Sequence, residues 1–101
     1  MILGLDISTS ITGATILDKD GNIVFNDAWD TRRFKNFFQK SEYIEEKIKE
    51  LNFPIQRLYI EQSLQSFRSG FSSAKTLSTL SRFNGVVSWL AYTILRVEPE
   101  Y

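Results

Sequence analysis

Residues 2–18 read ILGLDISTSITGATILD and residues 57–61 read RLYIE. Along the first of these, apolar residues alternate with small or polar ones at a period of two, as a strand with two unlike faces requires. Ile2, Gly4, Asp6 and Ser8 fall on one face, and Leu3, Leu5 and Ile7 on the other. The pattern predicts a first strand over 2–8 and a second over 11–18, followed by the turn chemistry of Asp18-Lys19-Asp20-Gly21-Asn22. Residues 57–61 form a short further strand, with Tyr59 and Glu61 on one face and Leu58 and Ile60 on the other.

The rest of the chain fits around these strands. IVFNDAW, residues 23–29, completes a meander. Phe37, Phe38, Ser41, Ile44, Ile48 and Leu51 recur at helical spacing, with Glu45 and Lys49 as an i,i+4 pair on the wet side, and Pro54 ends the helix. A long helix is predicted from about Phe71 to Leu95, and Val97 to Tyr101 reads as the lead-in to another element. The order β-β-β-α-β-α implies an α/β fold with a mixed sheet, the fourth strand returning beside the first and parallel to it. Such a fold calls for a fifth strand and a further helix, both expected beyond Tyr101. Residues 1–101 are therefore read as one domain, incomplete at its C-terminus.

That topology gives the two acids a meaning. Glu61 stands at the C-terminal end of its strand, and Asp6 lies near the end of the first. On neighbouring parallel strands, about 4.8 Å apart, their carboxylates converge at the edge where open α/β sheets usually hold ligands. A carboxylate within an apolar strand needs a cation or several donors if it is buried. Two like charges at close range are reconciled by a divalent ion, and hard oxygen ligands without His or Cys favour magnesium, or manganese, over zinc. The plainer reading, that both are strand-end residues capping turns or helix amides, stands beside this one.

Composition narrows the chemistry further. Apolar residues make up 43% of the 101 and charged residues 24%, as in an ordinary globular domain. The chain has no cysteine and no histidine, which excludes disulfides, thiolate metal sites and Ser–His or Cys–His nucleophiles. No apolar run approaches the roughly 18 residues that cross a bilayer. No basic leader precedes the first strand, so a cytoplasmic location is expected, in the host cell if the chain is phage-encoded. Net charge is zero, but Gln62 to Val97 contains no acid while holding Arg68, Lys75, Arg82 and Arg96.

The hairpin carrying Asp6, Ser8, Thr12 and Gly13, and the segment YIEQS followed by a polar loop and a helix containing Asn84-Gly85-Val86-Val87, resemble the ribonuclease H-like family of RuvC-type Holliday junction resolvases. The resemblance runs through the whole chain in order of elements, although its motifs are short. It implies a homodimeric, magnesium-dependent endonuclease that resolves branched DNA by two-metal phosphodiester hydrolysis. Asp6 and Glu61 match the first two acidic ligands of that family. The later pair, on a C-terminal helix, has no counterpart here, so the chain carries half a site and is expected to cleave poorly alone.

The same resemblance points to DNA contacts. It places the stretch QSLQSFRSGFSS, residues 62–73, in the loop that enters an opened junction, with Phe67 as a wedge and Arg68 beside it. The other reading is a Ser-rich loop whose Phe residues tuck into the core. On the long helix, Phe71, Ala74, Leu77, Leu80, Phe83, Val87, Leu90, Ala91 and Ile94 form the stripe that should cover the sheet. A second face carries Lys75, Ser78, Arg82, Gly85, Trp89, Tyr92 and Arg96. Gly85, Trp89 and Tyr92 are read as a dimer interface and Lys75 and Arg82 as DNA contacts flanking it, unless a C-terminal helix packs there instead. Ser8 is a further candidate for DNA contact, and with Thr9 it either orients a metal-bound water or holds the turn. Arg32, Arg33 and Lys35 could meet backbone phosphates or form plain solvated surface. Two other functions compete. LGLDISTS also resembles the phosphate loop of actin-like sugar kinases, although Ser8 stands where those typically have Gly, and a non-catalytic junction-binding dimer module accounts for a half site equally well.

Overall fold

The computed structural model describes residues 1–61 and 74–101. It contains β1 (Ile2–Asp6), β2 (Ile11–Leu17), β3 (Ile23–Asp30), α1 (Phe37–Glu50), β4 (Arg57–Glu61), α2 (Ala74–Leu95) and β5 (Pro99–Glu100). The strands form one sheet in the order β3-β2-β1-β4-β5. β1 pairs antiparallel with β2 and β2 with β3, whereas β1 and β4, and β4 and β5, are parallel. The predicted return of the fourth strand beside the first is therefore observed. The fifth strand, expected beyond Tyr101, lies instead within the chain as Pro99–Glu100, in the stretch after Val97 read as a lead-in, where it pairs with β4. Two residues are too few to carry a readable pattern.

Alternation decides which face is covered. Leu3, Leu5 and Ile7, Ala14 and Ile16, and Leu58 and Ile60 are all buried against Ile44 and Ile48 of α1 and Phe83, Val87, Leu90 and Ala91 of α2. Both helices thus lie on one side of the sheet, leaving a two-layer structure. Each fully buried Leu or Ile contributes roughly 1.5–3 kcal/mol relative to exposure, so this single layer of contact is the main source of stability. The helices meet through Phe37 and Phe83, packed edge to face with centroids 5.6 Å apart. Asn36 caps α1 by accepting from the N–H groups of Phe38 (2.7 Å) and Gln39 (3.3 Å).

Several boundaries and faces differ from the sequence reading. β1 ends at Asp6 because Ser8 turns the chain, although Ile7 remains in the core. Phe38, expected in the core stripe of α1, is 72% exposed, since α1 is covered only along the line of Ser41, Ile44 and Ile48. Ala74 is likewise exposed at the start of α2, and Leu77 and Leu80 are only half-buried, so the helix engages the core from Phe83 onward. α2 stops where Arg96 takes a φ of 59° and donates its N–H to Tyr92 O at 2.7 Å, a left-handed cap in the position glycine usually fills.

Candidate metal centre and nucleic-acid interface

The uncovered face of the sheet holds the residues that alternate with the core. Gly4 and Asp6 on β1, Gly13 and Thr15 on β2, and Tyr59 and Glu61 on β4 line a shallow hollow of about 420 Å³. The parallel register sets Asp6 directly opposite Glu61, at the carboxyl ends of the two central strands. On its other side Asp6 pairs with Gly13. A side chain at Gly13 would start 3.7 Å from the Asp6 Cβ, so glycine leaves that flank of the carboxylate open.

Asp6 and Glu61 are both exposed, so the requirement of a buried carboxylate for a cation or several donors does not arise here. The β1 pattern is apolar only on its covered face. The fold therefore tolerates the pair without a cation, because two unit charges about 4 Å apart in water repel by only about 1 kcal/mol. What recommends a cation is donor chemistry: two hard carboxylates, adjacent, on a rigid sheet, facing an open hollow. In donor type they suit magnesium or manganese, which take carboxylate, water and phosphate oxygens. Among the described residues no group of three or more acids, histidines or cysteines comes together. After Glu61 the chain has only Glu98 and Glu100 as acids, and Glu100 pairs with Arg57 at 3.1 Å.

The turn after Asp6 is tightly specified. Ser8 Oγ accepts from Ser10 N–H (3.1 Å), and the buried Thr12 hydroxyl donates to Ser8 O (3.1 Å). Ser8 therefore holds the turn. Thr31, buried at the end of β3, donates its N–H to Ser10 O (2.8 Å), and its hydroxyl bonds to Thr9 O (3.0 Å). Lys40 Nζ also donates to Thr9 O. Sequence reasoning missed Thr31 and Lys40, because bonds to a turn 21 to 31 residues back in the chain leave no local pattern.

The remaining candidates lie elsewhere. Phe67 and Arg68 fall outside the described residues. Lys75 and Arg82 are exposed on α2, and Arg82 donates to Thr79 Oγ1 at 3.3 Å. Gly85 is exposed with nothing within 4 Å of where a Cβ would be, Trp89 is 64% exposed, and Tyr92 is 37% exposed. Phe37, Phe38, Arg82, Gly85, Val86 and Trp89 line an apolar cleft of about 700 Å³ between α1 and α2, well away from the carboxylates. Arg32 grips Asp30 through both carboxylate oxygens, the shortest contact being 2.6 Å, and holds that carboxyl down at about 2. It is therefore not a free cation.

A mixed sheet of this order, with both helices on one face and paired acids on the other, is a ribonuclease H-type fold. Its particular form is RuvC-like. The chain superposes on T. thermophilus RuvC in complex with a Holliday junction substrate with a TM-score of 0.76 and 13% identity, over 97% of this chain and 60% of that one. A second Thermus thermophilus RuvC structure aligns at a TM-score of 0.49 and 11% identity, covering 95% of this chain and 79% of that one. This chain thus spans about three-fifths of the length of the first structure. No protein-family model and no curated protein matches the sequence. No described helix is long and apolar enough to cross a membrane.

Proposed function

We propose that residues 1–101 form part of a RuvC-type domain that binds branched DNA and supplies two carboxylates to a divalent-metal nuclease site. The observation that carries this reading is the register of Asp6 against Glu61 on the open face of a RuvC-like sheet. Magnesium or manganese bound there would activate water and neutralise charge on the leaving oxygen of a phosphodiester. Asp6 and Glu61 would hold it, and the Gly13 side of Asp6 leaves room for a phosphate to approach. With two ligands, the chain alone binds a cation weakly and cleaves slowly, and efficient hydrolysis needs further acids.

Assembly is the second half of the proposal. Two copies pair through the exposed face of α2, where Gly85 permits close approach and Trp89 and Tyr92 supply apolar area. A two-fold pair presents two carboxylate sites, matching the symmetry of a four-way junction. Lys75 and Arg82 flank that seam, and Phe67, Arg68 and Ser8 are the other proposed DNA contacts. The reading is tested by anisotropy with a synthetic four-way junction and a linear duplex of the same sequence, in chelator. Junction binding about tenfold tighter or more is expected, with Asp6→Asn binding as well as the unmodified chain. Equal affinity for the two DNAs contradicts structure selection, and loss of binding in Asp6→Asn makes Asp6 a structural residue.

A further inference from the structure

The cations of the described residues fall into two groups. Arg32, Arg57, Lys47 and Lys49 each sit in an ion pair, with Asp30, Glu100, Glu50 and Glu45 respectively. Among the described cations in no ion pair, Lys19, Lys75, Arg82 and Arg96 lie elsewhere in the fold, whereas Arg33, Lys35 and Lys40 lie together on the segment that joins β3 to the first turn of α1. That segment is not a loose connection. Its first residue, Thr31, is fully buried and fastened to Thr9 and Ser10, and Lys40 fastens its far end to Thr9. The turn it grips begins two residues after Asp6.

Within this strap the charges are held ready. The Arg33 guanidinium lies over the rings of Phe34 and Tyr43, 4.4 and 4.7 Å from their centroids, so it loses little side-chain freedom on binding an anion. Lys40 gives one of its three donors to Thr9 O and keeps the others. Lys35 is exposed between them. The acid that precedes the strap, Asp30, is already occupied by Arg32 and stays ionised and paired until the pH falls towards 2, while the acid that follows it, Glu42, stands exposed on α1 two residues past Lys40. Asn36 caps the amides of Phe38 and Gln39, so the anion would meet side chains rather than the end of the helix.

We infer that Arg33, Lys35 and Lys40 form a phosphodiester-binding strap beside the carboxylate pair, which holds the DNA backbone on the β3 side of the scissile position. The inference rests on the DNA-binding reading above. It goes beyond it by assigning contacts to the segment that joins β3 to α1. A backbone is the ligand, rather than one free phosphate, because the cations are spread over eight positions of an exposed segment instead of converging on one point.

The test uses the full chain and the salt dependence of its affinity for a four-way junction. Each lost phosphate contact lowers the slope of log affinity against log salt by about 1. Arg33→Gln with Lys35→Gln should therefore flatten the slope by about 2 and weaken binding about tenfold or more at low salt, with an unchanged melting temperature. Lys40→Gln is kept separate because it also loosens the turn. The comparison is Lys19→Gln with Lys49→Gln, which removes the same charge from the far end of the sheet and of α1. If the two double variants lose affinity and slope equally, or if the strap variant keeps both, the strap is overturned while the DNA reading stands. If the unmodified chain binds no DNA, the reading itself fails and the strap with it.

Discussion

Leu5 and Asp6 are neighbours in the chain, as are Ile60 and Glu61, yet each pair is split between two environments. Leu5 and Ile60 are almost fully buried beneath α1 and α2, while Asp6 and Glu61 stand on the bare side of the same two strands. The covered face is fixed by apolar area alone: nearly every residue there is aliphatic or aromatic, and the polar ones are small. The open face has no such obligation. Its glycines, hydroxyls and carboxylates contribute little to folding, and for that reason they are free to carry chemistry. Period-two alternation lets five residues of one strand serve stability and function at once.

The comparison breaks if both faces respond alike to truncation. Ile60→Ala removes buried methyl groups from a packed core and should cost about 2–5 kcal/mol, seen as a large fall in denaturant midpoint. Glu61→Gln, one residue away, should leave the midpoint unchanged. A comparable loss from both would mean that Glu61 has a structural partner. A smaller effect is expected on the exposed face of α2. Gly85→Leu adds a Cβ that fits the protomer, with no contact within 4 Å among the described residues. It should convert dimers to monomers in sedimentation without lowering the melting temperature, although leucine favours the helix by nearly 1 kcal/mol. An unmodified chain that is monomeric at high concentration would defeat the dimer.

The smallest effect concerns a flaw in the covered face. Ser88 is buried on α2, as are Val87, Leu90 and Ala91, and its hydroxyl has no hydrogen-bond partner among the described residues. An unpaired buried polar group costs about 1–3 kcal/mol, so Ser88→Ala should stabilise the domain by about 1 kcal/mol in chemical denaturation. Destabilisation would mean that the hydroxyl fills space the core needs. Thr12 is the contrast: fully buried, but bonded to Ser8.

The sequence made the sheet legible because alternation is a local signal. Counting along β1 and β4 was enough to place Asp6 and Glu61 on one face, and the order of elements made those strands neighbours. Three things were not legible. Phe38 falls on the apolar arc of α1, and its exposure depends on how far the arc is covered, which is a tertiary fact. Thr31 and Lys40 owe their places to bonds with a turn far back in the chain. Arg32, grouped with Arg33 and Lys35 on sequence, belongs instead to Asp30 two residues before it.

The central claim is that Asp6 and Glu61 together hold a divalent cation, and manganese binding tests it most directly. Paramagnetic resonance of free manganese, titrated with the chain, should show one weak site per protomer, lost in Asp6→Asn and in Glu61→Gln while the melting temperature is kept. Unchanged manganese binding in either variant would contradict the claim, because it would place the cation somewhere other than between the ends of β1 and β4.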